Sequence, residues 1–102
     1  MSDDVMQVKD FSAVLPEPVK EQVGRWVAET FGTTVYQVLY ASADWLGSYL
    51  AALAVEGERS DTLCVIQVFP VVEGGKRLWR IGQPAPLRTL WIDSEGAARI
   101  GS

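Results

Sequence analysis

The stretch Thr62–Ile92 constrains the fold more than any other part of this chain. It reads TLCVIQVFPVV, then EGGK, then RLWRI, then the proline-broken GQPAP, then LRTLWI. Two apolar runs on either side of Glu73-Gly74-Gly75-Lys76 predict a β-hairpin over residues 62–82, because consecutive glycines supply the positive φ that a two-residue turn needs. Further strands are predicted near 87–92 and, after the turn Asp93-Ser94-Glu95-Gly96, near 97–100. Between Leu63 and Val72 only Gln67 is polar, the pattern of a central strand covered on both faces. Pro70 has no N–H to give to a ladder, so a bulge or a missing neighbour is expected there.

Upstream, Pro16-Glu17-Pro18 opens a helix, since proline in the first turn lacks only an N–H that would have no intrahelical partner. Val19, Val23, Trp26, Val27 and Thr30 fall on one face at 3.6 residues per turn, with Lys20, Gln22, Arg25 and Glu29 on the other. Gly32 supplies the left-handed stop. Before this helix, Phe11–Leu15 reads as a brief turn ended by Pro16, and residues 1–9 are expected to fray. After it, Thr33–Tyr40 is rich in β-branched and aromatic residues and reads as a strand, with Tyr36, Val38 and Tyr40 pointing one way.

Residues 42–56 support two readings. As a helix they have an N-cap (Ser42), an acid in the first turn (Asp44), a stripe of Trp45, Leu46, Tyr49, Leu50 and Leu53, and a glycine stop at Gly57. As a strand, Ser48–Glu56 pairs with Val35–Tyr40 across a turn at Ser42–Gly47, and the C-terminal two-thirds becomes a meander of five or six strands. Gly47 and the missing polar face count against a surface helix, but the helix reading is preferred. The predicted fold class is therefore α+β: one small domain over 1–102, with an N-terminal helical part packed on a mostly C-terminal antiparallel sheet. A chain of 102 residues can close one core without a metal or disulfide staple.

The residue inventory excludes much chemistry. There is no histidine, which removes the commonest general base, the histidine-containing catalytic triads and histidine-ligated metal sites. The single cysteine, Cys64, sits in the most apolar run, where nothing local would stabilise a thiolate. The acidic pairs Asp3-Asp4, Glu56 with Glu58, and Asp93 with Glu95 read as solvated surface. Gly74-Gly75 joins two strands without leading into a helix, so it lacks the context of a phosphate-binding loop. No catalytic residue, metal or cofactor is expected, and the chain is not expected to be an enzyme. The start MSDDVMQVKD lacks the basic and apolar blocks of a signal peptide, and no apolar run reaches membrane-spanning length, so a cytoplasmic location is expected.

Charge is unevenly placed. Residues 1–61 carry four basic and ten acidic side chains, residues 62–102 five basic and three acidic, for a net charge of −4. An acidic chain makes direct nucleic-acid binding an unfavoured reading, despite the cations and tryptophans on the hairpin. Such a distribution permits head-to-tail pairing of subunits.

The leading expectation is a non-catalytic protein–protein interaction module, a small acidic inhibitor or adaptor that occludes a partner. A phage or mobile-element inhibitor of a bacterial defence complex, acting by acidic mimicry on a nucleic-acid-binding complex as partner, is one form of it, by analogy of size and charge. The candidate partner-binding residues are an acidic helix face (Glu17, Glu21, Glu29) and a hairpin face (Lys76, Arg77, Trp79, Arg80, Arg88, Trp91). The hairpin face serves equally as a dimer surface; a sheet apolar on both sides needs a second cover, and either the middle helix or a second copy, as a homodimer, would supply it. The alternative expectation is a small-ligand carrier with an aromatic pocket between helix and sheet, lined by Tyr36, Tyr40, Tyr49 or Trp45.

Overall fold

The computed structural model of the protein describes residues 11–44 and 46–101; the expectation for residues 1–9 and the assignment of Trp45 to a helical stripe lie outside the described residues. A short 3-10 helix, Phe11–Val14, leads into helix α1, Glu17–Phe31. Six strands follow: β1 (Tyr36–Ala43), β2 (Tyr49–Val55), β3 (Asp61–Glu73), β4 (Lys76–Gly82), β5 (Arg88–Ile92) and β6 (Ala98–Gly101). They form one antiparallel sheet in the order β1-β2-β3-β5-β6, with β4 also paired to β3, and the sheet curls into a half-barrel.

This corrects the predicted fold class. Residues 42–56 are not a helix: β1 and β2 pair in register from Tyr36 opposite Val55 to Ala43 opposite Tyr49. The sheet therefore starts at Tyr36, directly after α1, and is not a C-terminal addition to a helical part. The signal taken for a helix start is used to close a turn. The Asp44 carboxylate Oδ1 accepts hydrogen bonds from the backbone N–H of Leu46 at 2.8 Å and Ser48 at 3.0 Å, and Gly47 takes φ 86°. A carboxylate accepting N–H groups two and four residues on satisfies a loop as well as it caps a helix.

A second correction concerns β1. Val38 opposes Leu53 but Tyr40 opposes Ala52, so Leu39 is an extra residue in a β-bulge. One inserted residue reverses the side-chain alternation, so Tyr36 and Val38 face the helix whereas Tyr40 faces away, half-exposed.

The 13-residue β3 is the spine. On one side it holds β2, with Thr62–Val68 opposite Tyr49–Val55. On the other it holds β5 at its start, Asp61–Leu63, and β4 at its end, Gln67–Glu73. Between Gly82 and Arg88 the chain takes six steps while β3 takes four from Gln67 to Leu63, so β4 and β5 are one long partner strand with two surplus residues looped out around Pro84 and Pro86. Gly74 and Gly75, at φ 58° and 77°, close the β3–β4 turn with the paired positive φ of a primed hairpin turn. Pro70 lies beyond the end of β2, which stops opposite Val68, so its missing N–H costs no ladder bond on that side.

Helix α1 begins after Pro16 and ends at Gly32, whose N–H donates to the Ala28 carbonyl at 3.0 Å. Its stripe Val19, Val23 and Val27 is buried against one face of the sheet, together with Leu15. That inner face presents Ala41 from β1, Ala51, Leu53 and Val55 from β2, and Cys64, Ile66 and Val68 from β3. Full burial of each Val, Leu or Ile contributes about 1.5–3 kcal/mol, so this single layer supplies most of the driving force for folding.

Candidate protein-binding surface

Alternation along paired strands decides which side chains the helix covers. The inner set is even-numbered in β3 and odd-numbered in β2. The opposite, outer set comprises Leu50, Ala52 and Ala54 on β2, Leu63, Val65, Gln67, Phe69 and Val71 on β3, Leu78 and Arg80 on β4, Leu90 and Ile92 on β5, and Ile100 on β6. No described element packs over it. Leu50 and Leu78 are each 42% exposed, Ile100 60% and Ile92 66%, while Leu63, Val65, Phe69, Val71 and Leu90 are half-buried among their neighbours. The apolar character of both faces of β3 implies two covers; among the described residues α1 supplies one, and no element supplies the other.

The outer face is not flat. At the end of the strands where β2 leaves and β5 enters, Gln37, Leu39, Ala54, Asp61, Leu90 and Ile92 line an open groove of about 430 Å³. Ala54 forms its floor and is buried although it belongs to the outer set. Arg59 and Ser60 stand at the rim. At the other end, the side chains of Leu50 and Leu78 project.

The predicted acidic helix face is only partly formed. Glu17, Glu21 and Glu29 are all exposed. At about 100° per residue, however, Arg25 falls between Glu21 and Glu29 around the helix, and Lys20 approaches Glu17 at 3.6 Å. The acids are interleaved with bases and do not make a continuous negative stripe.

Nor do the six residues of the predicted hairpin face share one side. Arg77 and Trp79 belong to the inner side of β4. Trp79 packs against the core and meets Tyr49 at a ring-centroid distance of 5.9 Å, and Arg77 lies over the Trp79 ring at 5.5 Å. Lys76 and Arg80 belong to the outer side, where Arg80 pairs with Glu73. Arg88 is outer and exposed, next to Leu63. Trp91 is inner, 39% exposed, and opposite Arg99. Of the residues that carry the outer face, Leu50 is hidden from the sequence by the helical pattern of 42–56, whereas the double-sided apolarity of β3 is the signal that points to Val65.

The space between helix and sheet is filled by the valines of α1 and the β2–β3 core, all at or near zero exposure. Of the tyrosines proposed to line an aromatic chamber, Tyr40 faces the outer side and Tyr49 packs against Trp79, while Trp45 lies outside the described residues. Tyr36 packs against the core, where burial raises its phenol above the ordinary value. At the sheet edge an open cleft of about 320 Å³ lies between α1 and β4, lined by Gln22, Trp26, Trp79 and Ile81 among others.

Among the described residues no group of three His, Cys, Asp or Glu side chains could hold a metal ion, and no buried side-chain nitrogen or oxygen lacks a hydrogen-bond partner. Cys64 is fully buried, and desolvation pushes its thiol up to about 11. Asp93 is committed to structure: its Oδ2 accepts from Arg99 Nε at 2.7 Å, and its Oδ1 from the N–H of Glu95 and of Ala97, both at 2.9 Å. The Arg99 bond first, then the backbone donors, hold this carboxyl below its ordinary value. No helix among the described residues is long and apolar enough to cross a membrane. Comparison with family models, curated proteins and solved structures finds no significant match to the chain.

Proposed function

We propose that this protein is a non-catalytic protein-binding module whose binding surface is the outer face of its sheet. The observation that carries the reading is the apolar surface that β2, β3 and β5 present around Val65, broken only by Gln67 at its centre, over which no described element packs, whereas the inner face from Ala51 to Val55 and from Cys64 to Val68 is packed under α1. Soluble chains rarely leave a contiguous apolar patch of more than a few hundred Å² in water unless something binds there. An adaptor or inhibitor, which works by covering a partner, needs a surface of this kind and no reactive group. The interleaved charges of α1 give acidic mimicry less support than the sheet gives to apolar docking.

The test is affinity capture with three baits. Wild type and Glu21→Lys, altered on the helix side, are expected to retain the same protein from a native lysate, and Val65→Glu to lose it. Retention that is indifferent to Val65 contradicts the reading.

A further inference from the structure

We infer that the partner of the outer face is a second copy of this chain, docked sheet to sheet about a two-fold axis that passes over Ala52 and Val65. This inference rests on the outer face being a protein-binding surface and names what binds it.

Three features select a second copy. The first is charge. The chain carries −4, so two copies repel at most approaches. On the outer side, though, the charges are Arg59, Asp61, Glu73, Lys76, Arg80 and Arg88, which surround the apolar centre and leave that side net positive. Face-to-face docking buries no like-charged pair at its centre and leaves Glu17, Glu21 and Glu29 on the two outward helix layers, as far apart as the assembly allows.

The second is shape. Ala52 opposes Val65 in the ladder. Leu50 lies two residues to one side of Ala52, and Ala54, the floor of the groove, two residues to the other. A two-fold axis in the plane of the interface and across the strands at Ala52 exchanges these ends. The projecting Leu50 and Leu78 of each copy then face the groove end of the other, the self-complementarity an isologous interface requires.

The third is size. The apolar face runs about 20 Å along β3 at ~3.4 Å per residue and about 20 Å across four strands at ~4.8 Å spacing. With side-chain relief this is roughly 600 Å² per copy, or about 1,200 Å² in all, the lower bound of specific stable interfaces. A reversible dimer is the expected assembly, with two sheets packed as a sandwich whose outer layers are helices.

Sedimentation equilibrium of the full chain over about 1–500 μM tests this. The expected result is a shift from one copy to two that persists between 0.1 and 0.5 M NaCl and is weakened at least about a hundredfold by Val65→Glu, which places two unpaired carboxylates face to face at the axis. Leu50→Glu, on an exposed position, provides a second disrupting variant. Far-UV circular dichroism establishes that each variant is folded. A dimer that salt dissolves, or that both folded variants leave intact, overturns the inference in favour of head-to-tail or other contacts. A chain monomeric throughout overturns it too. In that case, loss of a captured protein with Val65→Glu preserves the binding reading, and unchanged capture removes both.

Discussion

Leu50 and Leu53 separate the strand from the helix more sharply than any other pair in the chain. Three residues apart, they would share one stripe of a helix and cost similar amounts on truncation. In β2 they point to opposite faces: Leu53 is at 0% exposure under α1, opposite Cys64, whereas Leu50 is 42% exposed on the outer face. Leu53→Ala removes the transfer energy of an isobutyl group and leaves a cavity beneath a helix that can relax only in part, a loss of about 3–5 kcal/mol. Leu50→Ala, with a little over half its surface buried and no closed cavity, should cost about 1 kcal/mol. Against a total stability of roughly 5–15 kcal/mol for a chain of this length, the first change removes a large fraction and the second a small one. Urea unfolding followed by tryptophan fluorescence at low micromolar protein, where the outer face is free, measures both. Equal losses, or a larger loss at Leu50, would refute the assignment of inner and outer faces on which the binding surface depends.

Other consequences follow from single residues. Gly24 lies inside α1, and a Cβ there would sit 3.8 Å from the Tyr36 hydroxyl, an ordinary contact; Gly24→Ala should therefore stabilise by about 0.5–1 kcal/mol and raise Tm by several degrees, and a fall in Tm would show that the helix sits closer to β1 than described. For Asp93, the folded-state value lies below an unfolded value near ~3.9, so its contribution is fully present above about pH 4 and is lost as the pH falls through the folded value. The protection of β6 amides relative to their intrinsic exchange rates should fall on acidification in wild type, and Asp93→Asn should already be poorly protected at pH 6; equal protection in both at pH 6 would contradict the turn's dependence on that carboxylate. With its thiol at about 11 and no exposure, Cys64 should resist disulfide-exchange reagents at pH 7.5 until denaturant is added, and rapid labelling of the native protein would place it outside the core.

The parts of the fold that were legible in the sequence are those with local causes. Gly74-Gly75 between apolar runs specifies a primed turn, and Pro18 with Gly32 brackets α1, because each demands a particular backbone geometry whatever surrounds it. Residues 42–56 were misread because their determinants are not local. Alanine-rich sequence with Asp44 at its start satisfies a helix as well as it satisfies an Asx-closed turn and a strand, and only the ladder to β1 and β3 decides between them. The bulge at Leu39 is similar: nothing in Tyr36–Tyr40 announces that one residue will be left over, yet it decides that Tyr40 faces outward. As for the surface, composition drew attention to charged residues and tryptophans, whereas alternation in the assembled sheet scatters Arg77, Trp79, Arg80 and Trp91 over both sides. The double-sided apolarity of β3 was the informative clue, and its meaning required knowing that no described helix lies on the second side.

The central claim, that the outer face is open in the single chain and covered by a protein partner, is tested most directly by methyl NMR with a soluble paramagnetic agent. At low micromolar concentration the agent should broaden the methyls of Leu50, Val65 and Ile92 and spare those of Leu53, Ile66 and Val68. At several hundred micromolar, protection should spread to the first set. Methyls still accessible at high concentration would contradict the second copy as the partner, and methyls of the outer face already shielded in the dilute chain would contradict the central claim itself.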